Sequence, residues 1–120
     1  MTEASAFTGT LVAANKKLIG ATVNDLAGAP LGTVDDLMID STGRVFYAVL
    51  SFGGVLGVGK QYYPVPWELL AYHSSKGEFA ANLDKTRMEN APNFGLEDIK
   101  WTRRFASDVD GHYGINRPPS

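Results

Sequence analysis

Hydrophobic and polar positions alternate along this chain in short stretches, and the longest apolar stretch runs from Val45 to Phe52. At a period of two, Tyr47, Val49 and Ser51 fall on one face and Phe46, Ala48, Leu50 and Phe52 on the other. A strand apolar on both faces must be covered on both, by a barrel interior on one side and by a helix or partner on the other. Before it, Leu18 to Val23 forms a short strand, and Asn24-Asp25 and Ala27 to Pro30 supply turn chemistry. Leu31 to Asp40 is a second strand, with Leu37 and Ile39 on one face and Asp36, Met38 and Asp40 on the other. Val34-Asp35-Asp36 breaks its period, which predicts a bulge or a strand with one edge in water. Asp40 to Gly43 is a turn.

After Val45–Phe52 the pattern continues with a strand from Gln61 to Val65, which Pro64 places at a sheet edge or corner. Pro66-Trp67-Glu68 is a single helical turn. Leu69 to His73 and Glu78 to Leu83 pair as a hairpin around Ser74 to Gly77. Six short strands at close spacing make a mainly β chain and predict a small barrel. Asp84 caps a brief helix to Asn90, which stops before Ala91-Pro92. Ile99 to Val109 reads as an amphipathic C-terminal helix, with Trp101, Phe105 and Val109 on one stripe, Asp98 as cap and Gly111 or Gly114 as stop. Residues 1–17 read as a flexible N-terminal arm, 18–90 as the barrel domain, and 91–120 as the C-terminal helix and tail.

Composition adds limits. With 44% apolar and 20% charged residues in 120 positions, the chain can bury one core. Thirteen glycines and six prolines favour tight turns over long helices. A net charge of −2 gives no field for nucleic acid or anionic lipid. Having no cysteine, the chain has no disulfide, thiolate nucleophile or cysteine-based metal site, which suits a cytoplasmic setting. The N-terminal residues lack the order of a secretory signal, and no apolar run is long enough to span a bilayer.

The candidate chemistries mostly give way to structural accounts. Gly54 and Gly59-Lys60 have the spacing of a phosphate-binding loop, but Gln61 lacks the magnesium-binding hydroxyl and Tyr62-Tyr63-Pro64-Val65-Pro66 cannot open a helix. Asp35 and Asp36 point to opposite faces of a strand, so with Asp40 they read as a solvated edge rather than a metal site. His73 and His112 have no glutamate pair to complete a metal site, and no Gly-x-Ser-x-Gly elbow is present. Lys100, Arg103 and Arg104 are a small basic cluster diluted by Asp98 and Asp108, so no nucleic acid is expected. No cofactor and no catalytic residue is assigned. Phe52, Val55, Leu56, Val58, Tyr62 and Tyr63 differ from these groups. Such apolar area is costly to leave in water, so it packs on the C-terminal helix or forms an interface. With Trp101 and Phe105 these residues are the candidate interaction surface.

The segments Gly32 to Asp40, Gly43-Arg44, Phe52 to Lys60 and Val65-Pro66-Trp67 resemble the PRC-barrel family, named for the cytoplasmic domain of the photosynthetic reaction-centre H subunit. The tail Trp101 with Asp110-Gly111-His112-Tyr113-Gly114 is similar to the ending of small single-domain bacterial members. The resemblance implies a six-stranded β-barrel that contacts other macromolecules and carries no catalytic residues. It leads to the expectation of a non-enzymatic protein–protein interaction module, a homo-oligomer such as a homodimer. Two alternatives remain: an accessory of reaction-centre or other membrane electron-transport complexes, peripheral because no transmembrane segment precedes the barrel, and a ribosome-maturation or RNA-associated factor.

Overall fold

A computed structural model of the protein describes residues 9, 11–52, 61–95 and 101–117. A π-helical turn, Ala14–Leu18, leads into β1 (Thr22–Asp25), β2 (Pro30–Ile39), β3 (Val45–Ser51) and β4 (Gln61–Pro66). A 3-10 turn at Trp67–Leu69 joins β4 to β5 (Leu70–His73), and β6 (Glu78–Ala81), α1 (Lys85–Glu89), β7 (Phe94–Gly95) and α2 (Arg103–His112) follow. The strands form one sheet in the order β5-β6-β1-β2-β3-β4-β7, antiparallel throughout except for the parallel pair β1–β6.

That order forces the sheet to curl. Strands β4 and β5 are five inter-strand steps apart, roughly 24 Å if the sheet were flat. The chain from Pro66 to Leu70 reaches at most about 14 Å. The Trp67–Leu69 turn can bridge the two strands only if the sheet wraps on itself, and it does so with the Trp67 ring edge-on to Phe79 of β6 at 5.7 Å. The mainly β class therefore holds, with two differences from expectation. Seven strands pair instead of six, and among the described residues β5 and β7 remain as edges, so the ladder is a curled sheet and not a closed barrel.

Inside the curl lies a core of Val23, Leu31, Val34, Leu50, Val65, Phe79 and Met88, each essentially without exposed surface. Strand β3 is buried from Tyr47 to Ser51, on both faces, as its apolar run required. The period break in β2 is a bulge: the β2–β3 register shifts between Val34 and Asp36, and again between Met38 and Ile39. The second shift leaves Ile39 61% exposed, against the expectation that it shares the face of Leu37. At the other end of β2 the backbones come close. A Cβ on Gly32 would sit 2.6 Å from the Ser51 carbonyl oxygen, so only glycine lets β2 and β3 meet there.

The first strand and the last helix differ most from their expected bounds. The first strand spans Thr22–Asp25, because Gly20 turns the chain at φ 90° between the π-helical turn and β1. Asn24 and Asp25 are consequently strand residues, and the Asp25 carboxylate accepts the Ala27 and Ala29 N–H groups of the turn that follows. Helix α2 starts at Arg103, where the Thr102 hydroxyl accepts the Phe105 N–H at 3.0 Å. Trp101 therefore lies ahead of the helix, and the expected cap Asp98 falls outside the described residues. Asp84 caps α1 as expected, accepting from the Arg87 N–H at 2.7 Å. Helix α2 ends at His112 and is stopped by Gly114, φ 70°, with Gly114 N–H on the Gly111 carbonyl and Ile115 N–H on the Asp110 carbonyl. These two bonds are a Schellman stop.

Candidate functional site

Strands β3 and β4 carry two apolar faces that go to different places. Tyr47 pairs with Pro66, Val49 with Pro64 and Ser51 with Tyr62, and these residues share the face turned away from the core of the curl. The C-terminal segment covers this outer face with a row of rings. Tyr62 stacks on Phe94 at 5.6 Å, and Phe94 meets Phe105 at 5.9 Å. Phe105 meets Trp101 at 5.2 Å, and Trp101 meets Tyr47 at 5.0 Å. Tyr62, Phe94, Trp101 and Phe105 each keep part of their surface in solvent.

The expected interaction residues are thus divided. Tyr62, Trp101 and Phe105 come together in this row. Phe52 and Tyr63 stack on each other at 4.8 Å, and Tyr63 is buried in the core. Val55, Leu56 and Val58 lie outside the described residues. Phe94 was not foreseen, because its two-residue strand β7 carries no alternation to reveal it.

A polar clamp fastens the far end of the cover. Asp110 is buried on α2, and the Tyr47 hydroxyl donates to its carboxylate, 2.9 Å from one oxygen and 2.8 Å from the other. Arg117 donates from Nε to Asp110 Oδ2 at 3.1 Å and from Nη2 to Oδ1 at 3.2 Å. The same guanidinium donates to Glu68 at 2.9 and 3.2 Å. It also lies 5.1 Å from the ring centroids of both Phe46 and Tyr47. A planar fork of five N–H donors is the one side chain able to grip two carboxylates and stack on two rings at once.

The electrostatics follow from this geometry. Burial, then the bond to Asp110, pushes the Tyr47 hydroxyl up to about 12. Burial works against charge on Arg117, but its bonds to Asp110 and Glu68 outweigh that and raise it above the ordinary arginine value. Burial would raise Glu68, yet the Arg117 bond prevails and holds its carboxyl below the usual glutamate value. Nothing local in the sequence marks this cluster, since Tyr47 and Asp110 are 63 positions apart and Glu68 and Arg117 are 49 apart.

A second fastening joins α2 to α1. His112 Nε2 donates to the Arg87 carbonyl at 2.7 Å, and Arg87 Nη2 donates to the His112 carbonyl at 3.2 Å. Arg87 also lies over the Tyr113 ring at 5.7 Å. The Tyr113 hydroxyl beside it is buried and has no hydrogen-bond partner among the described residues.

The remaining candidates take structural places. Asp40 accepts the Thr42 N–H and hydroxyl and the Arg44 N–H, which commits it to the turn before β3. Asp36 accepts the next residue's N–H. His73 is exposed on β5, and Arg103 and Arg104 are exposed on α2. Gln61, which follows the glycine-rich segment, opens a strand and not a helix. Among the described residues no three metal-ligating side chains gather. No helix among them is long and apolar enough to cross a membrane.

A curled, mainly antiparallel sheet with this turn from β4 into β5 agrees with what a family comparison finds: the model described as "PRC-barrel domain" matches residues 12–87. The chain belongs to the PRC-barrel family. A search of curated proteins finds no match to it. The PRC-barrel match takes in β1 to β6 and ends within α1, so β7, α2 and the Asp110–Arg117 half of the clamp lie beyond it. The barrel half of the clamp, Tyr47 and Glu68, lies inside it.

Proposed function

We propose that this PRC-barrel chain is a non-enzymatic protein–protein interaction module of the cytoplasm that works as a homo-oligomer. The observation that supports this reading is the partly exposed aromatic row Tyr62–Phe94–Phe105–Trp101 on the outer face of β3 and β4. Aromatic rings that are partly in solvent and held in place by neighbouring rings present large contact area at little cost in side-chain entropy, which favours recognition of another protein. The row begins at Tyr62, next to the apolar sequence Gly53 to Gly59.

Light scattering over a wide concentration range tests the reading, together with Tyr62→Ala in the full chain. A dimer or larger species that Tyr62→Ala weakens by about tenfold or more is the expected result. A strict monomer at high concentration would remove the homo-oligomer. Co-fractionation with membranes would move the function to an accessory of a membrane complex. Binding to RNA with a steep salt dependence would move it to a nucleic-acid role.

A further inference from the structure

Asp110–Gly111 is the one place in the 120 residues where an aspartate or asparagine precedes a glycine. Such a pair can react with itself. The backbone nitrogen of the glycine attacks the aspartate carboxyl carbon, and no Cβ hinders its approach. A C–N bond forms and closes a five-membered imide, while the N–H proton and the carboxyl hydroxyl leave as water. Water then reopens the ring at either carbonyl. One opening restores aspartate, and the other leaves isoaspartate, in which the main chain runs through the former side chain.

Packing gives no reason for a glycine at this position. Gly111 lies inside α2 and is exposed, and its φ is not positive. Among the described residues, no atom beyond its own helix backbone and chain neighbours comes within 4 Å of where a Cβ would sit. A glycine there weakens the helix relative to alanine. Asp110, in contrast, is held at both groups that ring closure must move. Its carboxylate accepts from the Tyr47 hydroxyl and from Arg117 Nε and Nη2. Its backbone carbonyl accepts the Ile115 N–H at 2.8 Å. Ring closure brings the carboxyl carbon onto the Gly111 nitrogen and turns the 110–111 peptide out of helical geometry, so both sets of bonds must break first.

We propose that Asp110–Gly111 is a self-modification site, guarded by the clamp and the helix stop, whose conversion to isoaspartate removes the clamp permanently. The guard is local, because only the last turn of α2 and residues 115–117 have to open. The reaction runs in that open fraction of molecules, and its rate follows the size of the fraction. Removing a bond from the clamp enlarges it. Isoaspartate lengthens the main chain and shortens the side chain, so its carboxylate no longer reaches Tyr47 and Arg117 from an intact helix.

The test holds the full-length chain at neutral pH for weeks and maps its peptides by mass spectrometry with electron-transfer fragmentation, which separates isoaspartate from aspartate. Tyr47→Phe and Arg117→Ala should each raise isoaspartate formation at position 110 by about tenfold over wild type. Asp40–Ser41, whose carboxylate is held within its own turn, should not change. Gly111→Ala should suppress the reaction while keeping the helix. Equal rates at 110 in wild type and both clamp variants overturn the guard. So does a folded wild type that reacts as fast as the chain unfolded in urea. An isomerised fraction whose hydrogen exchange at residues 113–117 matches that of the unmodified chain overturns the loss of the clamp. If a clamp variant does not fold, Gly114→Ala loosens the helix stop without touching the clamp and is read in the same way.

Discussion

Two buried tyrosines, Tyr47 beneath the C-terminal helix and Tyr113 at its end, should answer the same substitution in opposite ways. Tyr47 donates to a buried carboxylate, so Tyr47→Phe leaves Asp110 short of a donor and costs about 1–3 kcal/mol in urea unfolding. The Tyr113 hydroxyl has no partner among the described residues. Tyr113→Phe keeps the ring under Arg87, removes an unsatisfied group, and should be neutral or stabilising by up to about 1 kcal/mol in the same assay. Both hydroxyls are raised above the ordinary tyrosine value of 10, each chiefly by burial. A raised folded-state value means stability that is complete below pH 10 and lost as pH climbs through the folded value, about 12 for Tyr47. Unfolding midpoints should accordingly fall across that alkaline range, and Tyr47→Phe should remove part of the fall. Gly32 offers a third residue-level outcome. Gly32→Ala drives a Cβ against the Ser51 carbonyl, which should destabilise the chain by about 1–3 kcal/mol on the overpacking scale.

At the scale of elements, what could be read from the sequence and what could not divide along the range of the interaction involved. Strands β2 to β6 are legible because side-chain alternation is a local property, and the double-sided burial of β3 follows from eight nearly unbroken apolar positions. The β2 bulge is legible for the same reason, as a break in period at Asp35-Asp36. Helix α2 is legible in its apolar stripe but not in its start, because Thr102 caps it where Asp98 had been expected. The clamp was hidden. Asp110 follows Val109 in a polar-looking stretch, and only Tyr47 across the fold explains why a carboxylate is buried there. Arg117 sits among tail-like prolines and takes its meaning from Glu68. The stop of α2 belongs to this scale too. Gly114 has φ 70°, and Gly114→Ala strains that conformation by about 1 kcal/mol. Faster hydrogen exchange at Tyr113, Gly114 and Ile115, with β1 and β6 unaffected, is the expected signature.

For the molecule as a whole, the family match spans β1 to β6, and α2 lies beyond it. The Glu68 carboxyl is held below the ordinary glutamate value of 4.5, so its share of the clamp is present above that pH and is lost as pH falls through the lower folded value. Relative to intrinsic rates, hydrogen exchange across residues 101–113 should quicken below pH 4.5 before the strands respond, and equal quickening everywhere would mean that cover and barrel open as one unit. The strand order has a different consequence, in time rather than in space. Strand β1, near the start of the chain, finds its parallel partner in β6, with Val23 against Phe79. Every strand between them must be made before that pair can form, and closing so long a loop is slow. On the ribosome, a nascent chain that has not yet presented Ala81 holds β1 with one flank open. The β1–β6 pair is therefore expected to form late, joining the sheet's earliest strand to one of its last.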